Sequence, residues 1–446
     1  MEAFLDYADE VVGKARTAGT ALGRQDQEQT DRIVRGIFRA AFAARVELAR
    51  MASDETGIGY FPHKVLKNAW ASLLVYEDII YRRTVGVLGE NHRKGMMDVA
   101  HPKGPVLALT PVTNPTSTVI FKCLLAAKTR NPIIFSPHGG ARKSSREAAK
   151  ICYEAALAAG APEDCIQWTT KRHKDALSAL MSHRRLGLIL ATGTQDVVQW
   201  AQRSGNPVIG SGPGNVPVYI HPDADLELAA RSVVHSKTFD NGTVCASEQS
   251  LIVTGEIDEQ MRGFLEARGS YFCKPAEVQA LEKVAFDKER RGMAVGVVGR
   301  PAADIAQMAG FSVPDGTRLL VAGQTSVGRD DPLSHEILAP ILAYYVVDSV
   351  EDAMQLAADV SHRGGEGHSL SVWTEDRALV VEFAARVPAG RVLVNQPATD
   401  GAIGGIYNQL PASLTLGTGS GGGNLTTDNI TIEHLLTIQR VIRRRE

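Results

Sequence analysis

The chain has 446 residues, 44% hydrophobic and 22% charged, which is enough material for two or three domains with ordinary packed cores. A formal net charge of -2 at pH 7 argues against a general nucleic-acid binder, and the basic run Arg443, Arg444, Arg445 is too short for a phosphate track. No apolar stretch approaches the ~18 residues of a membrane span, the first residues lack a basic start and apolar core, and five cysteines without a CxxC suit a reducing cytoplasm.

Apolar positions three and four residues apart predict helices over residues 2–22, about 27–53 and 62–82. The first carries Phe4, Leu5, Ala8, Val11 and Val12 on one face, which predicts packing on its own domain. Residues 84–103 read as two strands around a turn. With the C-terminal residues 429–445 they form either an arm that pairs with another subunit or a surface hairpin and a loose tail. Strands at 106–109, 132–135 and 186–191 alternate with helices at 116–128, 144–159 and 194–203. Such spacing gives βαβ units and a parallel sheet covered on both faces. From about residue 241 the pattern repeats, with strands near 319–322, 342–347, 369–373 and 392–395. The expected architecture is α/β: two Rossmann-like three-layer domains meeting at a cleft, with a small arm.

Residues 238–249, TFDNGTVCASEQ, set Cys245 in a polar, glycine-containing turn ahead of an apolar strand. A cysteine in an apolar run behaves as a small hydrophobe, whereas Asn241, Gly242 and Thr243 leave this one on flexible, polar backbone where it can act as a nucleophile. Cys123 and Cys152 lie on apolar helix faces, and Cys165 and Cys273 lie near segment ends. A non-redox thiol enzyme would pair Cys245 with a histidine such as His235 or His335, although His235 in an apolar helical run also fits a structural role. Two glycine clusters are candidate phosphate cradles. Ala191-Thr192-Gly193-Thr194 ends a strand and opens a helix, while Gly210-Ser211-Gly212-Pro213-Gly214 is strand-flanked and lacks the helix of a dinucleotide fingerprint.

Several blocks taken together resemble the aldehyde dehydrogenase superfamily, and within it the CoA-acylating branch. They are TPVTNPTSTVIFK (110–122), KTRNPIIFSPH (128–138), GSGPGNVPVYI (210–220), SKTFDNGTVCASEQS (236–250), HEILAP (335–340) and PASLTLGTGSGGGN (411–424). The resemblance spans nearly the whole chain and is to the acetaldehyde dehydrogenase half of bifunctional aldehyde-alcohol dehydrogenases. It implies a cofactor domain over 1–240, with 84–103 as an oligomerisation hairpin, a catalytic domain over 241–415, and a segment 416–446 that returns to the cofactor domain or joins the arm. It also implies Cys245 as nucleophile and Asn114 as an oxyanion donor beside the Cys245 backbone N–H. Without the resemblance, Asn114 before Pro115 reads as a helix N-cap. Glu336 would bind the nicotinamide ribose. Gly193 and Thr194 would meet the pyrophosphate, and Thr113, Ser136, His138 and Gly212 would complete the cofactor contacts. Ser136 stands where hydrolytic members commonly place a lysine, with His138, Arg142 and Lys143 downstream, which leaves NAD or NADP open.

The most telling departure lies before the nucleophile. Hydrolytic members carry a glutamate, which activates water, at the position that is Ser211 here, and no carboxylate lies between Gly205 and His221. Without that base, water attack loses a factor of about 10² to 10⁴, while the more acidic thiol of coenzyme A can still attack a thioester. The expected product is therefore an acyl-CoA, from acetaldehyde or propanal, with a polar aldehyde such as sulfoacetaldehyde as the alternative and a hydrolytic enzyme as the rival. The expected setting is a cytoplasmic homodimer or tetramer, without nucleic acid or membrane; an alcohol dehydrogenase partner or a bacterial microcompartment lumen stays open.

Overall fold

Helix Glu2–Leu22 buries Ala8, Val12, Ala15, Ala18 and Leu22, one stripe at three- and four-residue spacing. That stripe packs on Leu107, Leu109, Ile134 and Ile189 of the chain's first sheet, as its spacing predicts. Asp26 opens the next helix through a capping box with Gln29. The single helix expected over 27–53 divides at Ala44 into Gln27–Ala43 and Arg45–Thr56. The one over 62–82 consists of Phe61–Ala69, a π turn Trp70–Leu74 and Val75–Ile79. Ala44 stays close to helical backbone and the π turn adds a residue without ending the apolar stripe, so periodicity alone runs through both. The computed structural model describes residues 2–289 and 292–444; Arg445 of the C-terminal basic run lies outside the described residues. Among the described residues no helix is long and apolar enough to cross a membrane.

Five parallel strands form the first sheet in the order Ile166–Trp168, Ile133–Pro137, Val106–Thr110, Leu188–Thr192, Val208–Ser211. Strand order reverses between Val106–Thr110 and Leu188–Thr192, so a crevice opens beyond their carboxyl ends, the usual ligand position in such sheets. A second sheet holds seven strands, all parallel: Ser270–Phe272, Leu319–Gly323, Ile341–Val347, Glu248–Thr254, Val216–Ile220, Ser369–Trp373 and Arg391–Val394.

The boundary drawn at residue 240 is displaced. Strand Val216–Ile220 and helix Leu226–Thr238 belong to the second sheet, where Val218, Ile220 and Ala229 pack with Leu251 and Leu342. A fully buried strand is apolar on both faces whichever sheet receives it, so its composition does not reveal its neighbours. Residues 84–103 do form a hairpin, Gly86–Asn91 with Met96–Pro102. The tail is not loose: Leu436–Ile442 pairs antiparallel with Met96–Pro102, Leu436 opposite Pro102 and Ile442 opposite Met96. Ile430, Ile432 and Leu435 also join the core of the first unit.

Candidate active site

Parallel neighbours in the second sheet run Ile341–Val347, Glu248–Thr254, Val216–Ile220, Ser369–Trp373. Residues just ahead of neighbouring parallel strands emerge at one edge of the sheet. Those residues are Glu336, Cys245, Gly214 and His368. This is the amino edge of the second sheet, whereas the first sheet offers its carboxyl edge.

The turn that delivers Cys245 is fixed, and the expectation of flexible backbone is overturned. Asp240, Asn241 and Gly242 follow one another at φ 49°, 53° and 74°, a left-handed run that costs energy for the two non-glycine residues. Hydrogen bonds to the buried Asp240 carboxylate compensate: it accepts from the Tyr60 N–H at 2.7 Å, Lys64 Nζ at 3.1 Å, Lys67 Nζ at 2.5 Å and Thr243 Oγ1 at 2.8 Å. Asn241 Nδ2 donates to the Gly299 carbonyl at 2.9 Å. A Cβ on Gly242 would lie 2.6 Å from the Ala339 carbonyl oxygen, so only glycine fits there.

Cys245 Sγ lies 3.3 Å from His368 Nε2, and His368 Nδ1 lies 3.1 Å from Ser369 Oγ. Burial pushes the thiol up to about 12, helped by the Glu336 carboxylate and opposed by Arg391 and Lys67. Burial, with Arg391 adding to it, pushes His368 down to about 3. The resting pair is therefore thiol and neutral imidazole. In the tautomer with its hydrogen on Nδ1, facing Ser369 Oγ, the Nε2 lone pair faces the thiol hydrogen. Arg391 is buried among neutral acceptors, the carbonyls of His368, Gly417 and Thr427, and keeps a positive charge behind the pair. Neither histidine weighed from sequence sits here: His235 Nε2 pairs with Asp400 at 3.2 Å, and His335 Nε2 lies 3.2 Å from the Arg329 carbonyl.

Gly214 closes the site. A Cβ on it would fall 2.0 Å from the Cys245 carbonyl oxygen and 3.2 Å from His368 Cδ2. Its N–H donates to Glu336 Oε1 at 2.8 Å, and burial pushes that carboxyl up to about 7. Asn114 occupies the N-cap position of helix Pro115–Lys128, yet its side chain does not cap. Instead Asn114 Oδ1 accepts from Lys67 Nζ at 2.5 Å, and Nδ2 donates to Thr113 Oγ1 at 3.1 Å.

The remaining predicted residues line the crevice of the first sheet. Thr113 follows strand Val106–Thr110, and Ser136 pairs in register with Leu109. His138 Nδ1 accepts from the Gly140 N–H at 3.1 Å, which occupies that nitrogen within its own turn. Gly193 and Thr194 lead into helix Gln195–Gln202; the Thr194 side chain does not cap it, and while the Val197 N–H donates to the Thr194 carbonyl at 3.0 Å, the Gln195 and Asp196 N–H groups face the crevice side of the turn where an anion could bind. A Cβ on Gly212 would meet nothing within 4 Å, and Ser211 lies opposite Thr192 in the sheet. The residues sequence reasoning missed are His368, Arg391, Lys67 and Asp240. Asp240 stood in the quoted TFDNGTVC block, whereas Lys67, on what reads as an ordinary solvated helix face, and His368 and Arg391 left no local signal.

The aldehyde dehydrogenase family model matches residues 3–271. A bifunctional aldehyde-alcohol dehydrogenase of Escherichia coli strain K12 is 42% identical over 440 residues, 98% of this chain and 49% of its own length. The chain thus spans about half the length of the curated relatives it matches first. The crystal structure of an acetylating aldehyde dehydrogenase from Geobacillus thermoglucosidasius is 40% identical and superposes with a TM-score of 0.96, covering 100% of this chain and 98% of that one. A propionaldehyde dehydrogenase from Rhodopseudomonas palustris, with bound CoA and an acylated cysteine, is 25% identical with a TM-score of 0.87, covering 98% and 97% of the two chains.

Proposed function

The chain belongs to the aldehyde dehydrogenase family, and on that premise we propose that it interconverts a short aldehyde, acetaldehyde or propanal, and its CoA thioester with a nicotinamide cofactor, through an acyl group on Cys245. The observation that carries this reading is the contact of Cys245 Sγ with His368 Nε2 at 3.3 Å, in a chain whose hydrolytic glutamate position is Ser211.

In this reading His368 Nε2 takes the thiol proton as Sγ adds to the aldehyde carbonyl, giving a thiohemiacetal. Asn114 Nδ2 and the Cys245 backbone N–H stabilise the oxyanion. When bound, the nicotinamide supplies the hydride acceptor, and the thiohemiacetal becomes a thioester. His368 releases that first proton to solvent; the CoA thiol, with an ordinary pKa of about 8.5, then displaces Cys245, its proton passing through His368 to the departing Cys245 sulfur. One thioester is exchanged for another, so acyl-CoA reduction uses the same residues in reverse.

The donor set suits a dinucleotide. The open N-terminus of helix Gln195–Gln202 at Gly193 and Thr194 suits a pyrophosphate, and the Glu336 carboxylate suits a ribose diol. Glu55 favours NAD over NADP. Its carboxylate accepts from the Lys143 and Ser144 N–H groups at 2.7 Å each, filling with negative charge the helix N-terminus that follows Ser136 and His138, where a 2′-phosphate would otherwise bind. The same reading keeps a homodimer or tetramer built through the antiparallel arm.

The test is NADH formation from acetaldehyde and NAD, with and without CoA. Without CoA the signal should stop at one equivalent per subunit, and CoA should restore steady turnover. Cys245→Ala should abolish NADH formation with NAD binding retained. Steady turnover in the absence of CoA would show that water reaches the thioester and would overturn the acylating reading.

A further inference from the structure

We propose that Lys67 is a positioning residue for the reaction: its ammonium, anchored on Asp240, fixes the carboxamide of Asn114 so that Nδ2 faces the oxyanion. The inference rests on the reading of Asn114 as an oxyanion donor.

An asparagine side chain can present either end of its amide. An ammonium has only hydrogens to give, so the Asn114 atom 2.5 Å from Lys67 Nζ must be the oxygen. That leaves Nδ2 on the opposite side, with one hydrogen on Thr113 Oγ1 at 3.1 Å and the second free for a ligand. A neutral partner such as a serine hydroxyl would accept as readily as donate and would not exclude the flipped amide.

The lysine itself has no freedom. Its remaining hydrogens go to Asp240 Oδ2 at 2.5 Å and Thr243 Oγ1 at 2.9 Å, and its side chain is 2% exposed. Asp240 is shared with Lys64, whose Nζ also donates to the Thr113 carbonyl at 3.2 Å. Burial pushes Lys67 down to about 8 against the pull of Asp240, so at pH 7 the lysine is charged and two lysines on one carboxylate leave a net positive charge under Asn114. Polarisation by that charge strengthens Nδ2–H as a donor. Asp240 is the left-handed residue at the start of the turn that delivers Cys245. One carboxylate therefore anchors both the nucleophile's turn and the lysine that aims the amide.

The fold is built to admit this arrangement. A Cβ on Gly59, at φ 83°, would sit 2.1 Å from Asp240 Oδ1, so a glycine is required where the loop between Arg45–Thr56 and Phe61–Ala69 passes the carboxylate. Asn68, next on the same helix, ties to Thr116 Oγ1 at 2.8 Å and fixes Phe61–Ala69 against the helix that begins at Pro115.

Steady-state turnover of acetaldehyde with NAD and CoA tests the proposal through a double-mutant cycle. Asn114→Ala should lower kcat by about 10² to 10³-fold, the usual loss for one oxyanion donor. Lys67→Met should lower kcat about 10 to 100-fold with the KM for acetaldehyde moved less than about threefold, because the interaction matters in the transition state. Lys67→Gln, which keeps a neutral donor, should recover part of that loss. The double variant Lys67→Met/Asn114→Ala should fall no further than Asn114→Ala alone.

Unchanged kcat in Asn114→Ala would overturn the oxyanion reading itself. A large loss in Asn114→Ala combined with full kcat in Lys67→Met, or with losses that multiply in the double variant, would overturn the positioning role and leave the oxyanion reading intact. If Lys67→Met does not fold, Lys67→Gln carries the cycle with the same outcomes. Failure of both to fold would assign Lys67 to stability and overturn the proposal.

Discussion

Replacing His368 by glutamine removes the basic nitrogen beside Cys245 while keeping a side chain of similar reach. The structure sets the size of the effect. With the thiol pushed up to about 12, roughly one molecule in 10⁴ carries a thiolate at pH 8. The wild-type enzyme avoids that penalty because Nε2, 3.3 Å from Sγ, takes the proton while sulfur attacks. General-base assistance of this kind is worth about 10² to 10⁴-fold, so His368→Gln should slow acylation by that factor. The assay is rapid mixing of enzyme and NAD with acetaldehyde in the absence of CoA, reading the NADH burst, together with NAD titration to confirm that binding moves less than about threefold. A burst rate constant within about fivefold of wild type would refute the assignment, because a base that is merely adjacent carries none of the factor expected of a participating one.

Glu336→Gln should make Cys245 more reactive toward iodoacetamide, and only above about pH 7, where the Glu336 carboxyl loses its proton and begins to oppose the thiolate. Below that pH variant and wild type should converge, and a pH-independent ratio would mean that the carboxylate does not reach the thiol. Gly242→Ala should cost about 2–4 kcal/mol of stability, read by urea unfolding, since the residue sits at φ 74° with the Ala339 carbonyl oxygen 2.6 Å from any added Cβ. A loss under about 1 kcal/mol would show that the turn relaxes without consequence.

The parallel architecture was legible because its strands are short, fully apolar and separated by helices of crossover length, as 106–110 and 188–192 illustrate. The partner sheet of 216–220 was not, because a strand buried on both faces carries no mark of the strands beside it. Cys245 was legible through its block. His368 was not: it lies 123 residues further on, and nothing local marks it. It reaches the thiol because Ser369–Trp373 pairs with Val216–Ile220, which pairs with Glu248–Thr254, and that adjacency is a property of topology. Asn114 is the intermediate case. Its position ahead of Pro115 suggests an N-cap by local rules, and only the buried Lys67, from a helix about 50 residues earlier, diverts its side chain from that role.

The pairing of Leu436–Ile442 with Met96–Pro102 has a consequence for how the chain is made. The unit begun by the first helices is completed by Ile430, Ile432, Leu435 and the strand after them, all synthesised well after the hairpin. At translation speeds of about 5–20 residues per second, tens of seconds separate the hairpin from the strand that covers it. Throughout that interval the whole second sheet is emerging while Met96–Pro102 presents an unpaired edge. The first unit therefore completes its packing only once Leu436–Ile442 has been made, and until then the free edge of Met96–Pro102 is open to pairing with other chains.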